Sequence, residues 1–114
     1  MPSNSPNQRF EDIAENIRRI EVFTTGLDAD DFLADLKTYD AVERCLERIS
    51  EAAKKLDATA DELCPEIPWP SIRGLGNLLR HEYDRIDGTR IWFLIERDLP
   101  GLRVAVERAL KSLA

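Results

Sequence analysis

The sequence predicts an all-α protein, an antiparallel four-helix-type bundle with one extra short helix. Apolar residues recur at three- and four-residue spacing through long stretches rich in Ala, Leu, Glu, Arg and Lys. No stretch of useful length alternates as a strand would. The prolines and most glycines gather at the N-terminus, between 65 and 76, and at 100–101, leaving those stretches intact. A chain of 114 residues fits one domain with a real but small core, which pairing with a second copy would enlarge. Residues 1–8 read as a polar tail and 9–114 as the single domain.

The elements follow in order. Phe10, Ile13, Ala14, Ile17, Ile20 and Phe23 form one helical face, with Glu11, Asp12, Glu15, Arg18 and Arg19 opposite, and Gly26 ends the helix. "DADDFLAD" opens a short second helix with an acidic first turn. A third runs from about 39 to 56, with its stripe on Val42, Cys45, Leu46, Ile49, Ala53 and Leu56 and with Glu51 placed to pair with Lys55. "CPEIPWP", 64–70, breaks the pattern, because Pro65, Pro68 and Pro70 cannot share a helix interior. A fourth helix starts near Pro70 or Ser71 and carries Ile72, Leu75, Leu78 and Leu79. Gly74 and Gly76 each weaken it by roughly 1 kcal/mol against alanine, so a ligand or a second backbone is expected close to them. The last helix starts at Asp87 as N-cap. "LPG" at 99–101 kinks or restarts it, and Leu102, Val106, Ala109 and Leu113 continue its stripe.

Composition narrows the function. The net charge of −6 argues against broad nonspecific nucleic-acid binding. It is unevenly spread. Residues 73–90 carry Arg73, Arg80, Arg85 and Arg90 against Glu82, Asp84 and Asp87, so that stretch is net positive in an acidic chain. This suits one phosphate-sized pocket and not a long basic groove. Cys45 and Cys64 form no CxxC pair and read as buried thiols of a reducing cytosol. "MPSNSPNQRF" lacks the apolar core of a signal peptide, and the longest apolar run, "IWFLI", is far too short for a membrane span. A cytoplasmic protein without a membrane segment is expected.

One stretch raises a chemical question. "GNLLRHEYDRID", 76–87, holds the single histidine, His81, with Tyr83 two residues on. Asn77 and His81 are i and i+4, on one helix face. On a straight helix His81 and Tyr83 would stand about 200° apart, so the tyrosine joins the histidine only through a helix end. The suggested chemistry is metal-free cleavage of a phosphodiester. Histidine moves a proton near neutrality, an arginine holds the phosphate, and in RNA the adjacent 2′-OH is the nucleophile. One histidine and no clustered carboxylates or thiols leave no metal site and no cofactor. Residue types alone favour a capping or surface histidine, and Trp69 and Trp92 read as core.

The order of features changes that balance. The series "RFEDIAENIRRIEVFTTGL", "FLADLKTYDAVERCLERISEAAKKL", "PEIPWPSIRGLGN", "HEYDRID" and "IWFLIERDLPGLR" resembles the HepT-like family of HEPN-domain proteins over roughly residues 9–110. The resemblance implies a homodimeric all-α bundle in which two motif helices build one cleft. It implies metal-independent endoribonuclease activity, with a cognate minimal nucleotidyltransferase as antitoxin that attaches AMP to the motif tyrosine. The family motif is an arginine, four to six residues, then His-x-Tyr, and its histidine and tyrosine fall on His81 and Tyr83. The polar residue after the arginine falls on Asn77. The arginine itself is replaced by Gly76. Arg73 and Arg80 are the nearest substitutes, and Arg73, about 60° from Gly76 around the helix, is preferred. Two other readings stand beside this one: a catalytically impaired dimer that binds or regulates a nucleotidyltransferase, and a purely structural dimerisation module.

Overall fold

The computed structural model describes residues 5–80 and 88–114, with the Arg80 side chain left out. Among the described residues every regular element is a helix: α1 (Pro6–Thr24), α2 (Ala29–Ala34), α3 (Leu36–Leu56), α4 (Ala58–Leu63), α5 (Trp69–Arg80), α6 (Gly88–Phe93) and α7 (Leu99–Leu113), with a π-helical turn, Leu94–Asp98, joining α6 to α7.

The N-terminal boundary lies earlier than expected. Ser5 caps α1 by accepting from the Gln8 amide, and Pro6 occupies the first turn, where its missing N–H costs nothing. Residues 6–8 are therefore helix and not tail. The expected stripe is buried from Phe10 to Ile20, while Phe23 at the helix end is half-exposed. Gly26 adopts φ +79, the left-handed conformation that glycine takes without Cβ strain, and turns the chain toward α2. A reciprocal box between Asp28 and Asp31 caps α2. It places Phe32 at 0% exposure between the Tyr39 and Trp92 rings, each 5.3 Å away, so the aromatic cluster ties α2 to α3 and α6.

Helix α3 is the centre of the bundle, packed on α1 and α5, while α7 covers the other side of α1. It starts at Leu36, three residues before the expected position, because Asp35 caps it by accepting from the amide and hydroxyl of Thr38. The helix pairs run antiparallel. Arg103, near the start of α7, meets Glu21, near the end of α1, at 3.0 Å. The proline-rich segment is an anchor as well as a break. Trp69, fully buried, donates its indole N–H to the Cys64 carbonyl at 2.9 Å, and the Cys64 thiol reaches the Ala105 carbonyl of α7. Trp69 thereby starts α5 one residue earlier than proline placement alone suggests.

Two short elements were not foreseen. Helix α4 follows a sharp junction at Asp57, whose φ of +50 lets the chain leave α3 without a glycine. The π-helical turn takes up the "LPG" restart: Pro100 sits in the first turn of α7 and the helix continues with Leu102, Val106 and Ala109 buried. Leu113, at its end, is exposed. The expected N-cap, Asp87, lies outside the described residues.

Candidate active-site helix

The candidate site lies on α5 and the segment that follows it. Why α5 sits where it does is answered by one hydroxyl. Ser50 of α3 is 1% exposed, donates to the Arg73 carbonyl at 2.8 Å and accepts from the Gly76 amide at 3.0 Å. The two helix backbones are thus bridged by one short side chain. Gly76, buried, meets α3 of its own chain at this point, so the close backbone approach expected there is met within the chain. Gly74 is the opposite case: it is exposed, and a Cβ added there would meet nothing within 4 Å.

Arg73 is committed to structure. Its Nε donates to the Ala53 carbonyl at 3.4 Å, and one terminal nitrogen donates to the Asp57 carbonyl at 2.8 Å and the Asp61 carboxylate at 2.9 Å. It satisfies carbonyls at the C-terminal end of α3 and fastens α4 to α5. The sequence reading preferred Arg73 as the phosphate-binding substitute for the arginine missing at Gly76. Here its guanidinium is engaged by the Ala53 and Asp57 carbonyls and the Asp61 carboxylate, so contact with a phosphate would require it to exchange some of these partners.

Asn77 is exposed on α5, beside Leu78, which is 44% exposed although its spacing placed it on the apolar stripe. Leu75 and Ile72 are buried as the spacing requires. Arg80 is the last residue of α5. His81 and Tyr83 lie outside the described residues, so the site is placed through its helix and not through its imidazole. Among the described residues no group of three His, Cys, Asp or Glu side chains could hold a metal, and no helix is long and apolar enough to cross a membrane.

Sequence reasoning missed Ser50. The signal was present: Leu46, Ile49, Ser50 and Ala53 share one face of α3, and a serine on such a face must find partners, which a facing glycine helix can supply.

A central helix α3 flanked by antiparallel partners, with Asn77 on α5 and His-x-Tyr following that helix in the sequence, fits a HEPN-type helical domain. The family model for ribonuclease HepT-like proteins matches residues 13–109, and the chain belongs to that family. It is 41% identical over 102 residues to a Thermococcus cleftensis protein named "Probable ribonuclease HepT", covering 90% of this chain and 93% of the relative. It is 34% identical over 113 residues to a candidate RNase of Methanocaldococcus jannaschii, covering 99% and 93% respectively. A candidate RNase of Caldanaerobacter subterraneus is 30% identical over 108 residues, covering 95% of this chain and 96% of the relative. No solved structure matches the chain.

Proposed function

We propose that this protein is a metal-independent endoribonuclease, the toxin of a toxin–antitoxin pair, and that it works as a cytoplasmic homodimer with one composite cleft. The observation that carries the reading is the family match over 13–109 together with the sequence motif of Asn77, His81 and Tyr83. The bare edge of α5, with Gly74 open and Leu78 exposed, supports a second copy of the chain as its cover. His81 takes the proton from the RNA 2′-OH, or returns one to the departing 5′-oxygen. The 2′-oxygen bonds to phosphorus as the P–O5′ bond breaks. Asn77 holds the phosphate, and Arg80 supplies the charge, Arg73 being engaged elsewhere. No protein nucleophile is required.

The antitoxin in this reading is a minimal nucleotidyltransferase that attaches AMP to Tyr83. The bulky, negatively charged adduct would stand beside Arg80 and Arg85 and fill the phosphate position. Co-expression with such an enzyme should add AMP mass to wild type and none to Tyr83→Phe. Expression alone should arrest growth, and His81→Ala should abolish both arrest and RNA cleavage while the protein stays helical. Intact cleavage by His81→Ala sinks the reading.

A second reading is favoured by the chemistry around Gly76. The family arginine is absent there and Arg73 is occupied, so a catalytically impaired dimer that binds or regulates the nucleotidyltransferase fits as well. A wild type that is inert on expression alone yet still binds the nucleotidyltransferase identifies it.

A further inference from the structure

We propose that Arg90, Phe93 and Arg97 form a single-stranded RNA subsite, in which one base stacks at Phe93 and the two guanidiniums hold the flanking phosphates. The inference rests on the ribonuclease reading above and adds substrate contacts outside the motif.

The three residues stand at i, i+3 and i+7 across α6 and the π-helical turn, so they share one face. Phe93 is 47% exposed, whereas its neighbours Ile91 and Trp92 are buried at 3% and 8%. The Arg97 guanidinium lies over the Phe93 ring, 4.9 Å from its centroid. A lone exposed phenylalanine needs no explanation. Its coincidence with two cations that have no ion pair among the described residues does. Arg9, Arg18, Arg19, Arg44, Arg73, Arg103 and Arg108 are in ion pairs, while Arg48, Arg90 and Arg97 have none among the described residues, and only Arg90 and Arg97 flank an exposed aromatic ring. In a chain of net charge −6, two guanidiniums on one face with no ion pair among the described residues form a local positive patch that suits a polyanion.

The surface there is concave. Arg90, Phe93, Leu94, Arg97 and Asp98 line a cavity of about 460 Å³. Arg90 and Leu94 also line a smaller one, about 70 Å³, against Leu75 and Leu78. The patch is therefore continuous with the exposed edge of α5, the helix that runs into the motif. The π-helical turn beside it is a local departure of a kind that gathers at functional sites. An exposed aromatic ring with one guanidinium over it and another a turn away along the helix suits an unstacked base of a single strand; a duplex would leave the ring unused. Asp98, the one carboxylate among the described residues lining the cavity, can accept from a base amino group or a ribose hydroxyl, which a bare phosphate would not offer it.

The test is fluorescence anisotropy with a labelled, unstructured RNA of about twelve nucleotides, long enough to span several stacking positions. The protein carries His81→Ala throughout, so the probe stays intact. Phe93→Ala should weaken binding roughly five- to hundredfold, and Phe93→Trp should restore it. Arg97→Ala should reduce the slope of log affinity against log salt by about 0.7. Unchanged affinity of Phe93→Ala overturns the subsite, as does failure of the protein to bind the RNA at all. Dissociation of a dimer by Phe93→Ala in light scattering also overturns it and assigns the face to a second copy. The ribonuclease reading fails separately: if cleavage proves independent of His81 while Phe93 still governs RNA binding, the subsite stands and the catalytic assignment falls.

Discussion

One terminal nitrogen of Arg73 donates to both the Asp61 carboxylate, at 2.9 Å, and the Asp57 carbonyl, at 2.8 Å, and so holds α4 against the end of α3. The side chain is mostly buried, at 24% exposure, whereas Asp61 is largely open to solvent. Most of the value therefore lies in the carbonyl contacts and not in the exposed ion pair. Arg73→Ala should lower unfolding stability by about 1–3 kcal/mol. Asp61→Asn should cost less, on the order of 0.5 kcal/mol. Arg73→Lys keeps the charge but loses the planar fork that reaches three acceptors, so it should fall between them. Denaturant titration orders the three. A fully stable Arg73→Lys protein that has lost RNA cleavage would return Arg73 to the phosphate.

Asp57 itself carries a removable strain. Its φ of +50 is unfavourable for a residue with a Cβ, and its side chain makes no capping hydrogen bond to α4. Asp57→Gly should stabilise the protein by about 1 kcal/mol, since relief of Cβ strain outweighs the added freedom of the unfolded chain. The midpoint of urea unfolding should rise with an unchanged slope. A lower midpoint would show that the carboxylate has a role its contacts do not reveal.

Much of the bundle was legible because helix burial is periodic. The stripe from Phe10 to Ile20, the face from Val42 to Leu56, and the burial of Trp69 and Trp92 all follow from spacing and side-chain size. What escaped depends on pairs distant in sequence. Ser50 meets Gly76 across 26 residues, and Arg73 reaches back 16 and 20 residues to Asp57 and Ala53. No local pattern says which carbonyl a long cation will find. Leu78 shows the complementary limit: periodicity marks an apolar position, yet the residue is 44% exposed. The motif was readable as residue types, while His81 and Tyr83 lie outside the described residues.

Two carboxylates tie stability to acid. The hydroxyl and then the amide of Thr38 hold Asp35 below its ordinary pKa of 3.8, and the Arg108 guanidinium holds Glu66 below its ordinary 4.5. A carboxylate depressed in the folded state binds protons more readily when unfolded. Its stabilisation is therefore complete above the ordinary value and is lost as pH falls through the folded one. Asp35→Asn and Glu66→Gln should each flatten the decline of thermal midpoint below about pH 5. Both groups are solvent-exposed, so added salt should erase more of the Glu66 effect, which depends on a charge partner, than of the Asp35 cap. An acid limb identical to wild type in both variants would show that these contacts do not persist in solution.

The last prediction concerns Gly76. Alanine in place of glycine inside a helix ordinarily gains about 1 kcal/mol. At Gly76 that gain should vanish or reverse, because the residue is buried and its amide is bonded to Ser50 across the α3–α5 contact. Overpacking a close contact costs about 1–3 kcal/mol, enough to cancel the propensity term. Gly74→Ala is the internal control. That position is exposed with open space around it, so it should show the ordinary gain. Ser50→Ala removes a donor to the Arg73 carbonyl and an acceptor for the Gly76 amide, and should cost about 0.5–1.5 kcal/mol. Because both substitutions act on one contact, the double change Ser50→Ala with Gly76→Ala should cost less than the sum of its parts. Thermal unfolding of the five proteins decides it. Equal stabilisation by Gly74→Ala and Gly76→Ala would mean that α3 and α5 leave room for a side chain there, and that the missing arginine was not excluded by packing.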